Sequence, residues 1–225
     1  MSKSMWALDA PKRIALLVWA LGILVSLGLG WSTSSDNRQA ADRRLAEAAT
    51  SVAQHVRERL TLYENGLRGT RGAVMAAGAD DVTRSEFEAY VASRDMRSEF
   101  PGARGFGFIR RVPRAAESGF LATARAEGPA GFSIRELAPH DGDRFVIQYI
   151  YPLADNTGAT GLDIASEPNR REAAVSAMDS GEPRLTAPIT LVQASGRSGS
   201  GFLMLLPVYR SGLVPVETPV RASIS

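Results

Sequence analysis

Gly161-Leu162-Asp163-Ile164-Ala165-Ser166-Glu167-Pro168 is the stretch on which the fold turns. Gly161 to Ile164 has the composition of a short strand. Within four residues the pattern changes to that of a helix start, with Ser166 as cap and Pro168 in the first turn. The helix then runs over Asn169–Asp179 and stops before Gly181, a residue suited to the left-handed C-terminal position. A strand that hands directly to a capped helix implies a sheet with helices packed outside it. Asp163 stands at the hinge between the two, where its carboxylate can cap the following turn or pair with Arg170 or Arg171.

The flanking residues supply the rest of the sheet. Downstream, Leu185–Val192 and Gly201–Tyr209 read as two strands joined by the Gly/Ser loop Ala194–Ser200. Upstream, Phe132–Leu137 and Phe145–Leu153 read as strands, and in the second Phe145, Ile147, Tyr149 and Tyr151 alternate with Val146, Gln148 and Ile150. Glu117–Glu127 has the pattern of a helix closed by Gly128-Pro129. Gly105-Phe106-Gly107-Phe108-Ile109 reads as a further strand. Its glycines, with Gly102, lack the spacing and the preceding strand of a dinucleotide loop. Thr83 and Glu86 have the spacing of a capping box ahead of Phe87, Tyr90 and Val91. Strands cluster and helices flank them, which predicts an α+β fold with a mainly antiparallel sheet.

Further toward the N-terminus the chain changes character. Residues 35–77 contain no proline and are rich in Ala, Arg, Glu and Leu. Leu45, Ala49, Val52, Val56, Leu60, Tyr63, Leu67 and Val74 recur mostly at steps of four and three, the spacing of one helical face. Gly66, Gly69 and Gly72 weaken its second half by about 1 kcal/mol each relative to alanine. The first half is expected to serve as a stalk that pairs two copies, and the second to pack on the domain. Before it, Ile14–Trp31 is an apolar run whose only polar side chain is Ser26. At 1.5 Å per residue such a run spans about 27 Å, enough for the core of a bilayer. Lys12 and Arg13 abut its start and favour an inside N-terminus, although Arg38, Arg43 and Arg44 follow it closely. A cleaved signal peptide is the alternative, against which stand the length of the run and the lack of an A-x-A site. The expected organisation is a cytoplasmic tail over 1–13, a membrane helix over 14–31, the stalk over 35–77, a sensing domain over 78–210 and a tail over 211–225.

Composition removes several chemistries. The 225 residues are 44% hydrophobic and 22% charged, values of a foldable globular chain. A net charge of +2, without a basic stripe and interleaved aromatics, argues against nucleic acid. No cysteine is present, so disulfides, thiolate catalysis and cysteine zinc sites are excluded. His55 and His140 are far apart and lack helical ligand spacing, so neither a metal nor another cofactor is expected. Gly196-Arg197-Ser198-Gly199-Ser200-Gly201 misses the nucleophile-elbow spacing by one position. No lysine-bearing phosphate loop occurs, and no catalytic site is expected.

Phe100-Pro101-Gly102, Gly105–Ile109 and Tyr151-Pro152-Leu153 form the first half of a pattern. Gly161–Glu167 with Arg170, Arg171 and Ala173-Ala174, then Leu185–Pro188 and Pro207-Val208-Tyr209-Arg210, form the second. In combination they resemble the CHASE sensing domain of receptor histidine kinases, cyclases and diguanylate cyclases, over roughly Leu60 to Arg210. The resemblance implies an extracytoplasmic, PAS-like sensor of a bacterial inner-membrane protein, single-pass here, that binds a small molecule, a purine-like one in the plant members. It implies Asp163 as a carboxylate that hydrogen-bonds the ligand and Leu185 as a backbone contact. A carboxylate at a strand end can accept from a ligand N–H, so this reading stands beside the capping one. Tyr149 and Tyr151 are candidate pocket walls, or else core. Asp163→Ala is expected to weaken ligand binding and leave folding nearly intact. The family pattern normally continues into a second subdomain, a second membrane helix and an effector module. Their absence before Ser225 suggests a shortened receptor. A membrane-anchored coiled-coil scaffold without a ligand is the alternative function.

Overall fold

A computed structural model describes residues 10–129, 131–192 and 198–211, so nearly all of the tail over 211–225, most of the tail over 1–13 and most of the Gly/Ser loop lie outside the described residues. The chain divides into two compact units between Arg57 and Glu58. In chain order the elements are α1 (Ala10–Ala77), α2 (Arg84–Ala92), α3 (Met96–Glu99), β1 (Phe106–Val112), α4 (Glu117–Glu127), β2 (Arg144–Tyr151), α5 (Leu153–Asn156), α6 (Pro168–Ser180), β3 (Arg184–Leu185), β4 (Ile189–Val192), β5 (Ser198–Gly201) and β6 (Met204–Leu205). This is the α+β class that the residue pattern predicts.

Among its described residues the first unit holds helix alone. Its apolar side chains are open to solvent, from Ile14 and Trp19 to Leu45, Val52 and Val56. Among the described residues no helix is long and apolar enough to cross a membrane, residues 29 and 30 of the run Ile14–Trp31 lying outside those whose side chains are described.

The second unit is organised around the antiparallel pair β1–β2, in which Phe106 faces Tyr151 and Val112 faces Arg144. The register shifts between Phe108 and Ile109, because Gln148 is an extra residue opposite them. This bulge corrects the expected alternation of β2. Tyr149 packs with Phe106, Phe108, Phe87 and Val91, whereas Phe145 and Ile147 pack with Ile150, Leu162, Ile164 and Ala174. One inserted residue moves every later side chain to the other face.

Four elements differ from the sequence expectation, each for a local reason. The first is Gly161–Ile164, which is no strand but makes two single bridges, Leu162 to Arg135 and Asp163 to Val146, before the Asp163 side chain caps a short 3-10 turn over Ile164–Ser166. Phe132–Leu137 is not a strand: Arg135 makes a single parallel bridge to Leu162, bonding Gly161 O and Asp163 N. Leu185–Val192 is broken into β3 and β4, with Thr186–Pro188 between them. Its partner strand is broken likewise, so the two form an interrupted hairpin, β3 on β6 and β4 on β5. Thr186 bridges the gap, its amide donating to Leu203 O and its hydroxyl accepting from Leu203 N. The sheet is therefore three two-stranded pieces among the described residues. The start of α6 is also shifted by one. Glu167, not Ser166, caps it by accepting from the amides of Asn169 and Arg170, with Pro168 first in the helix and Gly181 left-handed at its end.

The helices that face the β1–β2 pair are well specified. Thr83 and Glu86 form the expected reciprocal capping box of α2, which buries Phe87 and Val91. In α1, a Cβ on Gly66 would lie 2.5 Å from the Phe100 ring and 2.8 Å from that of Phe106. The glycine thus lets the helix meet that aromatic pair, whose rings are edge-to-face at 5.1 Å.

Candidate functional site

A cavity of about 530 Å³ opens beside β1, the size of a small-molecule site. β1 has a strand partner on one edge only among the described residues, and its consecutive residues Gly107 to Arg111 line the cavity. Most of its wall comes from four places in the chain. Leu67, Thr70, Arg71 and Val74 line it from one face of α1, Gly107 to Arg111 from β1, Ala174, Ala177 and Met178 from α6, and Met204 to Val208 from β6 and the segment after it. The small α6 residues leave the space, and the aromatic rings of Phe87, Phe108 and Phe145 bound it.

Charge is concentrated in this lining. Arg71, Arg110, Arg111 and Arg210 contribute to it, against Asp80 and Asp143. Arg110 donates to Asp80 at 3.1 Å and to Ala79 O at 2.8 Å, and lies 4.8 Å over the Phe108 ring. Arg210 is 3.2 Å from the same Asp80, and Arg111 is 2.9 Å from Asp143. Burial holds Arg110 below its usual guanidinium range, Asp80 opposing that shift and Arg210 adding to it.

Asp163 lies at the centre of a separate polar network and has none of its own surface exposed. One carboxylate oxygen accepts from the amides of Phe145 at 2.8 Å and Ala165 at 3.0 Å. The other is 2.7 Å from His140 Nε2 and 3.3 Å from Arg144 Nη1. Arg144 continues the network to Glu117 at 3.1 Å and to Glu136. The capping role expected for Asp163 is present, but its charge partner is Arg144 and not Arg170 or Arg171. Arg170 is itself buried, donating to Thr190 O at 2.8 Å, and Arg171 donates to Ala165 O at 2.5 Å. His140 and Arg144 were invisible as partners in the sequence, because nothing in their spacing marks them. Glu136, His140 and Asp163 bring ligand-type atoms within 4.8 Å of one another. The Arg144 guanidinium already sits on both carboxylates and supplies the cation there.

The other site candidates are dispersed. Tyr149 is buried in the aromatic core, its hydroxyl donating to Glu127 at 2.5 Å and lying 3.3 Å from Val82 O. Burial first, and then the bond to Glu127, raise its pKa well above that of a free phenol. Tyr151 is half-buried against the same core. Leu185 is exposed and pairs with Met204. None of Asp163, Leu185, Tyr149 and Tyr151 lines the cavity, although Ile164 and Met204, each next to one of them in sequence or pairing, do. A second, smaller hollow of about 280 Å³ is lined by His140, Asp143, Arg171 and Met178, so Asp163 stands one side chain behind it.

The CHASE domain model matches residues 80–223. The chain belongs to the CHASE family, whose members are extracellular, non-catalytic sensory domains of signalling proteins. No curated protein matches the sequence.

Proposed function

We propose that the protein is a membrane-anchored sensor that recognises a small molecule outside the cytoplasm, in the 530 Å³ cavity beside β1. The observation that carries this reading is the position of the cavity within a CHASE domain. Its lining includes the last turns of α1, the helix that begins at Ala10. A ligand seated there would touch Leu67, Thr70, Arg71 and Val74 of that helix, so occupancy can bias the helix directly. Asp163 then acts as the fastener of the turn that leads into α6, and Tyr149 and Tyr151 as core that holds β2.

The anchor is the apolar run Ile14–Trp31, with the body of the chain in the periplasm of a bacterial cell. Leu45, Val52 and Val56, exposed at helical spacing on α1, support pairing of two copies through the stalk. The absence of cysteine makes the topology easy to test. A single cysteine at the exposed position Ser118, introduced as S118C, should react with a membrane-impermeant maleimide in intact cells. Labelling only after lysis would place the domain inside and end this reading.

A further inference from the structure

The cavity carries a further signal about what it admits. Arg71 projects from the α1 face that lines it, and its Nη1 is buried without a hydrogen-bond partner among the described residues. A buried guanidinium N–H left unbonded is costly, and an anionic oxygen is its best-matched partner. The carboxylates in the same lining are committed elsewhere, Asp80 to Arg110 and Arg210, and Asp143 to Arg111. Guanidinium groups outnumber them four to two in the lining, so the wall is electropositive. The same lining also carries apolar side chains, Phe145, Ile164, Met178 and Met204 among them.

We infer that the cavity takes an amphipathic organic anion, its carboxylate seated on Arg71 and its aryl or alkyl body lying over Phe145, Ile164 and Met178. The inference rests on the proposed sensor function and adds the chemical class of its ligand. Arg71 is held for this task by its place in the helix: Leu67 and Val74 on the same face keep it at the cavity wall. The free edge of β1 offers further backbone donors and acceptors for the body of the ligand.

The test is calorimetric titration of the full chain in nanodiscs, with empty nanodiscs as control. The probes are aryl and alkyl carboxylates of graded size, 4-phenylbutyrate and naphthalene-2-carboxylate among them, each beside its neutral amide, and adenine. The expected result is saturable binding of at least one carboxylate, about tenfold or more tighter than its amide. Arg71→Gln should remove that preference without lowering the melting temperature of the unliganded protein, and Arg71→Lys should retain part of it. Equal affinity for acid and amide would overturn the inference, as would an unchanged preference in Arg71→Gln. If amides or adenine bind without preference for charge, and Ala177→Leu abolishes that binding, the sensor function stands and the anionic ligand falls. If no probe binds, the anionic ligand falls, and the sensor reading loses its support in the cavity.

Discussion

Asp163 accepts from two backbone amides, an imidazole and a guanidinium while wholly shielded from water. Removing it leaves the Phe145 and Ala165 amides and His140 Nε2 without their partner in the interior, where unbonded polar groups are expensive, while Arg144 keeps Glu117 and Glu136. Asp163→Ala should therefore lower stability by about 3–5 kcal/mol, read as a shift of the urea midpoint. This replaces the mild effect expected from an exposed ligand contact. The importance of Asp163 was legible in the sequence, because a carboxylate between a strand and a capped helix has a local job. Its partners were not, since His140 and Arg144 come from a loop and a strand start that no spacing rule links to it. Tyr149 gives a second prediction at this scale. Its folded pKa is raised above the unfolded value near 10, by burial and then by Glu127, so the neutral phenol is favoured by folding. That stability is whole below pH 10 and declines as the pH rises further. Between pH 9 and pH 11, the wild type should lose more stability than Tyr149→Phe in parallel urea titrations. Equal losses would mean that this phenol does not contribute.

At the scale of elements, the capping box at Thr83 and the glycine after α6 were legible because caps are local chemistry. The bulge at Gln148 was not, because periodicity assumes one residue per step and cannot register an insertion opposite Phe108 and Ile109. Gly66 shows the same limit from another side. Read along the helix, it is a weak point that alanine should improve by about 1 kcal/mol. In the fold it is where Phe100 and Phe106 approach α1, and the added methyl would meet both rings. Gly66→Ala should thus destabilise by about 1–3 kcal/mol, overriding propensity. Gly72→Ala has open space around it and should stabilise. Thermal melts of the two variants, compared with the wild type, check both signs.

At the scale of the molecule, the α+β class and the sensory family could be read from strand and helix order together with a few short motifs. The cavity could not, because its lining gathers α1, β1, α6 and the segment after β6 from positions up to well over a hundred residues apart. The four residues singled out beforehand mark the scaffold around that space and not its wall. The account stands on the cavity being a ligand site, and ligand-dependent melting of the full chain tests this most directly. A compound that binds the folded state alone stabilises it by about 2.7 kcal/mol at one hundred times its Kd. Ala177 is buried on α6 and lines the cavity, so Ala177→Leu fills part of the space at a cost of about 1–3 kcal/mol. Across a panel of purines and organic acids, at least one compound should raise the wild-type Tm in a concentration-dependent way and leave that of Ala177→Leu unmoved. A panel that shifts neither protein, or shifts both equally, would contradict a ligand site in the cavity beside β1.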